Sequence, residues 1–475
     1  MATKIARVFS NNNFLSLTNN GIVAVFGFLS FLMLVRMLPQ EVFGEWILFI
    51  TLSNFVDMLR FGITRTAIIR FLSGADEEES KKLIGSNNLI NLISTVLLAL
   101  LTILIYFFFK TSIDESGFGM FFVWYPVLSF FNLTFNNAQS IQQAKLRFDI
   151  MLWLRLINVG SFMVFLTFNM FLKFDISVIL WAYLLTNLLS SIMSSFLNWD
   201  GIKFTFMANK ATHKIVLNFG KYTTGTLIGS NLLKSSDTFI IGISPFLGTT
   251  GVALYSIPLK LTEIIEIPLR SFTATAFPGM SKASIENRPE LVKEIFYRNA
   301  GGMTFLLAPV MLICFIFAEQ AVLILGGPEY VQTANVFRIF CIYGLFLPID
   351  RFIGVTLDSI NRPRQNFVKV VYMALSNIIG DLIAVFGMSF LFAGLSLTVF
   401  MLSSQSEVSD IFFMAKEYTV IKTLEWVAYA TILFTIIGIF VGYVFLHREL
   451  DLRLRNVFGG GMLFLKENYK NLIRF

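Results

Sequence analysis

Lys260, Glu263, Glu266 and Arg270 fall within one short stretch, KLTEIIEIPLR, whose other residues are almost all apolar. On a helix turning about 100° per residue, Glu263, Glu266 and Arg270 lie within about 60° of one another, with Lys260 to one side. Glu266 and Arg270 are i, i+4 partners, and Lys260 and Glu263 are i, i+3 partners. The functional reading of such a face is a substrate or ion pathway; its charges sum to zero, so alone it is not an anion site. The same face can also neutralise itself and lock helix packing. A charge at the bilayer centre costs roughly 2.5–3.5 kcal/mol on insertion scales. Such a face is therefore expected to point at a bundle interior or a water-filled cavity.

Further ionisable pairs have the same character. Lys234 and Asp237 are i, i+3, as are Asp57 and Arg60. Asp350, with its neighbour Arg351, and Asp381 sit deep in apolar runs and are further cavity candidates. Arg65 reads as a snorkelling anchor, and Arg155 as either an anchor or a cavity cation. The candidate cations are thus Arg60, Lys234, Lys260, Arg270 and Arg155. The candidate acids for ion coupling are Asp57, Asp237, Glu263, Glu266, Asp350 and Asp381. Asn132, Asn136, Asn137, Gln139, Gln142 and Gln143 crowd one segment. Six amides exceed what packing needs, and amides suit a hydroxyl-rich ligand because they donate and accept; Asn132, Asn136, Asn137 and Gln139 are the expected sugar contacts. The serines at 190, 191, 194 and 195 read instead as interhelical glue.

Several chemistries find no support. There is no GxxxxGK[ST] phosphate loop, no metal-ligand cluster, no catalytic constellation and no cofactor motif. Cys314 and Cys341 lie inside apolar runs and suggest no disulfide framework. His213 and His447 read as surface residues. The net charge of +7 needs no nucleic acid, since basic loops are normal in membrane proteins.

The elements that must position these groups are membrane spans. The chain has 475 residues, 56% hydrophobic and 14% charged, with 54 Phe and a mean hydropathy of +0.72. Apolar runs of about 20 residues recur, the length that crosses a bilayer core, and helices satisfy their own backbone there. Candidate spans are 14–35, 46–64, 87–109, 118–142, 150–171, 176–198, 219–243, 252–277, 300–318, 333–357, 367–392, 395–415 and 424–446. The first is read as a retained span, not a signal peptide. With a cytoplasmic N-terminus, the turns after the even-numbered spans hold nineteen Lys/Arg and the opposite turns three. That asymmetry predicts twelve alternating core spans with both ends inside. The last segment strains it: if 424–446 also crosses, the basic tail HRELDLRLR falls outside. Alternatives are that the twelfth or the last segment does not cross, or that 456–465 re-enters.

Residues 38–73 set against 247–282 give five identities at a constant offset of 209, with Asp57 facing Glu266. The offset lays the second span on the eighth, in the same orientation, as in a parallel repeat. The expected fold is an all-α polytopic membrane helical bundle with 12 core transmembrane helices (12–14 in total). They form two six-helix lobes, 1–210 and 211–423, followed by an extra hydrophobic helix and basic tail in 424–475.

Several stretches resemble the polysaccharide (O-antigen) flippases of the multidrug/oligosaccharidyl-lipid/polysaccharide exporter superfamily. They are RMLPQEVFGEW (36–46), MLRFGITRTAIIRFLS (58–73), QQAKLRF (142–148), SSDTFIIGISPFLGTTGVALYSIPLKL (235–261), FPGMSK (277–282) and ILGGPEY (324–330). The resemblance spans about 14–415. It implies two six-helix bundles around a polar cavity and alternating access. The implied substrate is an undecaprenyl-diphosphate-linked oligosaccharide, an O-antigen or capsule repeat unit, moved across a bacterial inner membrane. It implies cavity cations that meet the diphosphate, no enzyme activity, and other polysaccharide-assembly proteins as partners. A cation-coupled drug or small-molecule antiporter of the same superfamily is the alternative. A polymerase would be expected to carry a large periplasmic loop, which is not seen.

Overall fold

A computed structural model describes residues 12–72, 75–387, 391 and 408–472. Among these residues every regular element is helical. The first part of the chain forms α1 (Asn12–Met37), α2 (Gln40–Leu72), α3 (Glu77–Glu115), α4 (Gly119–Phe131), α5 (Leu133–Ala144), α6 (Phe148–Arg155), α7 (Ser161–Leu172) and α8 (Ile176–Phe196). The second part forms α9 (Lys210–Gly242), α10 (Gly248–Ile285), α11 (Pro289–Ile316), α12 (Ala318–Gly326), α13 (Ala334–Ser359), α14 (Pro363–Leu382), α15 (Val408–Leu450) and α16 (Asn456–Leu472). Eight helical stretches among the described residues are long and apolar enough to cross a membrane. Exposed Phe107, Phe108 and Phe171 supply the apolar exterior that lipid requires.

Local chemistry explains the boundaries. Asp76 caps α3 by accepting from the Glu79 amide at 2.8 Å, and Asp175 caps α8. The fourth span breaks into α4 and α5 at Asn132, six residues after Pro126. The fifth and eleventh spans each contain a π-helical turn, Leu156–Gly160 and Ile383–Gly387. Two interhelical turns share one pattern. Asn287 and Asn361 adopt left-handed φ values of 52° and 60°, an arginine follows each, and Pro289 or Pro363 begins the next helix. Asparagine tolerates that backbone region and proline suits a first helical position.

The chain divides into two compact units, residues 1–231 and 232–475, with the division inside α9. In the first, Ala67, Ile68, Leu83, Ile84, Ile141 and Val216 pack one core cluster. Trp46 stacks on Phe162 at 5.9 Å and meets Tyr183 edge-on at 5.4 Å. In the second, α14 and α15 run antiparallel: Gly380 faces Ala430, Gly438 faces Met373 and Gly442 faces Lys369. At the end of this seam Gln365 donates to Glu449.

The last spans differ from the expected boundaries. The expected turn at 416–422 lies inside α15, which runs unbroken from Val408 to Leu450. No Gly or Pro interrupts 408–437, so nothing stops the helix there. The expected twelfth span falls largely in 392–407, outside the described residues. The end of α15 lies beside the turns at 287–289 and 360–362, which belong to the Lys/Arg-rich set. The basic tail therefore starts on that same face, and its conflict with the charge distribution disappears. Beyond it, α16 packs on α11 where glycines let backbones touch. A Cβ on Gly301 would meet the Val457 carbonyl and Gly461, and one on Gly460 would strike Tyr297.

Candidate functional site

In the first unit the expected cation Arg60 is 1% exposed. It pairs with Asp57 at 3.0 Å and donates to Thr95 Oγ1 at 3.1 Å, to the Ser129 carbonyl and to Asn132 Oδ1. Asp57 in turn accepts from the Tyr125 hydroxyl at 2.9 Å and from Asn132 Nδ2 at 2.7 Å. The network joins α2, α3, α4 and the α4–α5 break, and of the Arg60 guanidinium only Nε is left buried without a partner.

The amides of α5 are likewise bound into the packing. Asn137 Oδ1 accepts from Asn91 Nδ2 at 2.7 Å, and Asn91 Oδ1 accepts from Thr64 at 2.8 Å. Gln139 Nε2 donates to the Met151 carbonyl at 3.3 Å, Asn136 Nδ2 to the Asn132 carbonyl at 2.9 Å, and Gln142 Nε2 to the Trp199 carbonyl at 2.7 Å. Asn132, Asn137 and Gln139 are buried. Buried polar groups need partners; Asn137 and the Gln139 Nε2 group find theirs in neighbouring helices, whereas Gln139 Oε1 is buried without one. Half-buried Arg155 has a different setting: its Nε is buried without a hydrogen-bond partner. Its nearby charge is Arg65, which donates to Gln143 Oε1 at 3.2 Å.

In the second unit, Glu266 is the centre of a cationic cluster. Arg270 Nη2 reaches Glu266 Oε2 at 3.0 Å, and Arg351 Nη2 reaches both carboxylate oxygens at 3.3 and 3.4 Å. Lys234, on α9, lies within electrostatic reach of Arg270, Glu266 and Arg351 but makes no hydrogen bond or ion pair among the described residues. Three cations thus surround one buried carboxylate. Lys260 and Glu263 form a pair of their own at 2.7 Å. Asp350 turns away from this cluster and meets Lys369 of α14, at 2.5 Å to Oδ1 and 3.1 Å to its carbonyl. Arg351 consequently makes no ion pair with its sequence neighbour.

A separate acidic cluster joins four helices. Asp237 of α9 accepts from Asn377 Nδ2 at 2.7 Å, from the Tyr255 hydroxyl at 2.6 Å and from Thr431 at 3.5 Å. Asp381, fully buried, lies within electrostatic reach of Asp237. Both Asp381 oxygens and Asn377 Oδ1 lack a donor. Buried acceptors without donors are costly. A proton shared between the carboxyls, or a bound monovalent cation, would satisfy them. Among the described residues no group of three or more His, Cys, Asp or Glu could hold a metal ion.

Residues 9–284, more than half of the chain, match the family described as polysaccharide biosynthesis protein. The chain belongs to that family. A curated relative, the probable low-salt glycan biosynthesis flippase Agl15 of Haloferax volcanii, is 24% identical over 168 residues, 34% of this chain. The match spans only 35% of that relative's length. Among solved structures, an inward-facing multidrug resistance MATE transporter of the MOP superfamily superposes with a TM-score of 0.68 at 14% identity, covering 92% of this chain and 98% of that one. The lipid II flippase MurJ in an inward closed conformation gives 0.67 at 13% identity, covering 97% and 93%. These likenesses show the fold: an all-helical, multi-pass membrane bundle.

The family match includes Asp57, Arg60, Lys234, Asp237, Glu266 and Arg270 but stops before Arg351, Asn377 and Asp381. Geometry alone brings these last three into the clusters. Asn377 was absent from the sequence-derived candidates. Its signal was available: it precedes Asp381 by four residues in the largely apolar later half of α14, the spacing that puts two side chains on one face.

Proposed function

We propose that this family member is a flippase for lipid-linked glycan. It moves an undecaprenyl-diphosphate-linked oligosaccharide, such as an O-antigen or capsule repeat unit, across a bacterial inner membrane by alternating access, with its N-terminus cytoplasmic. The observation that carries this reading is the excess of positive charge around Glu266. Lys234, Arg270 and Arg351 outweigh one carboxylate by two charges, and a diphosphate is the anionic part of such a substrate. Charge-assisted hydrogen bonds from guanidinium to phosphate are short and bidentate. Glu266 occupies both arginines while no phosphate is present, and the phosphate oxygens replace its carboxylate. Asp237 and Asp381 supply the coupling ion site.

A cation-coupled antiporter is the second reading. The acidic cluster of Asp237 and Asp381 favours it, whereas a cationic drug would be repelled by the Glu266 cluster.

The test is flipping of a fluorescent lipid-diphosphate oligosaccharide in proteoliposomes. A charge-assisted hydrogen bond contributes about 1.5–3 kcal/mol, so Arg351→Gln and Arg270→Gln should each lower flipping roughly 10- to 100-fold at equal insertion. Wild-type flipping in both variants would overturn the assignment. Export of cationic dyes without glycan-lipid flipping would favour the antiporter.

A further inference from the structure

Three helix ends enclose a polar groove away from both charged clusters. It lies between the α10–α11 turn, the α13–α14 turn and the end of α15, with a volume of about 570 Å³. Its polar lining includes Ser284, Asn287, Arg288, Asn361, Arg362 and Glu449. The two turns are the Asn-Arg-Pro repeats described above, so one local geometry delivers an arginine to the groove twice.

The charges in the groove are unequal in their commitments. Arg288 is 61% exposed at its side chain and has a distant contact of 3.5 Å with Glu286. Arg362 Nη2 donates to Glu449 Oε2 at 2.9 Å, and Gln365 Nε2 donates to the other oxygen of Glu449 at 3.0 Å. The groove therefore presents two guanidiniums and one carboxylate. A simple anion would meet Glu449, and a simple cation would meet two arginines. A ligand carrying one negative and one positive group matches both.

Position narrows the ligand further. Helices α11 and α14 begin at this groove and α15 ends there, on the Lys/Arg-rich face, which is headgroup depth for a core about 30 Å thick. Val292, Ile360 and Leu450 complete the lining, and neighbouring Ile285 is 82% exposed. Basic pockets between helices on this side of a membrane hold lipid headgroups.

We propose that this groove binds the headgroup of a membrane phospholipid carrying both a phosphodiester and a primary ammonium. The phosphodiester takes Arg288 and Arg362. The ammonium donates to the Glu449 carboxylate. A phosphocholine group has no N–H to donate to Glu449, and a phosphoglycerol group has no positive charge to pair with it. Binding braces α14 against α15, the pair that carries Asn377, Asp381 and Thr431.

The experiment is native mass spectrometry of the full-length protein in detergent with added phosphatidylethanolamine, phosphatidylcholine or phosphatidylglycerol. Phosphatidylethanolamine should be retained at least threefold over either of the others. Soluble phosphoethanolamine should compete for the adduct, and inorganic phosphate should not. Arg288→Gln, which disturbs little packing, should remove most of the retained lipid, while Lys282→Gln, outside the groove lining, should leave it intact. Glu449→Gln should abolish the preference over phosphatidylglycerol. Equal retention of the three lipids, competition by inorganic phosphate alone, or an unchanged adduct in Arg288→Gln would overturn the proposal.

Discussion

Replacing Arg60 by methionine separates a packing role from a substrate-facing one in the second span. Methionine keeps an unbranched apolar stem and removes the guanidinium. Asp57 then loses its ion-pair partner at 3.0 Å but keeps the Tyr125 and Asn132 donors. The Ser129 carbonyl and Thr95 hydroxyl lose a donor as well. Removing one partner of a buried pair costs about 3–5 kcal/mol. The Asp57 side chain is 20% exposed, so the lower end applies, about 3 kcal/mol. That is roughly a hundredfold in the folded-to-unfolded ratio, since each 1.4 kcal/mol is about tenfold. Adding Asp57→Asn removes the stranded charge, and the double variant should recover to within about 1 kcal/mol of the parent. Unfolding in SDS followed by tryptophan fluorescence measures both steps, with glycan-lipid flipping assayed on the same preparations. Two results would refute the reasoning: Arg60→Met within about 0.5 kcal/mol of the parent, or a stable double variant that no longer flips substrate.

Two further expectations follow from the second unit. Asp381→Asn replaces one orphaned acceptor with an N–H donor and removes one carboxyl, so flipping should lose its dependence on an imposed proton or sodium gradient; undiminished gradient dependence would remove the coupling role from this pair. Gly301→Leu forces side-chain atoms into the Val457 carbonyl and Gly461, and overpacking of this kind costs about 1–3 kcal/mol. Helix α16 (Asn456–Leu472) should become protease-sensitive in that variant, and a helix as resistant as the parent's would show that the glycine contact is dispensable.

Helix periodicity carried much of this architecture because hydrocarbon forces the backbone into helices. It placed Glu266 beside Arg270 and Asp57 beside Arg60 from spacing alone. It did not identify what each pair does, because that depends on distant residues. Arg60 is enclosed by Thr95, Ser129 and Asn132, which periodicity of α2 cannot reveal. Glu266 gains Arg351 from α13, 85 residues away, and that contact turns a neutral stripe into a cationic cluster. The amides of α5 were counted without their partners: Asn87 and Asn91 of α3 approach Asn137, so an apparent surplus becomes helix-to-helix bonding. The boundary inside α15 was misplaced because charged residues near a span end look like a turn, although Lys422 and Glu425 pair within one helix at 2.6 Å.

The seam between α11 and α16 also has a history in time. About 140 residues separate the end of one helix from the start of the other, and at 5–20 residues per second they are made roughly 7–30 s apart. Throughout that interval the Gly301–Gly302 face has no mate, so a nascent chain stalled after α15 would present a bare glycine patch to the bilayer. Helix α16 is therefore fitted to this face only after α15 has been made.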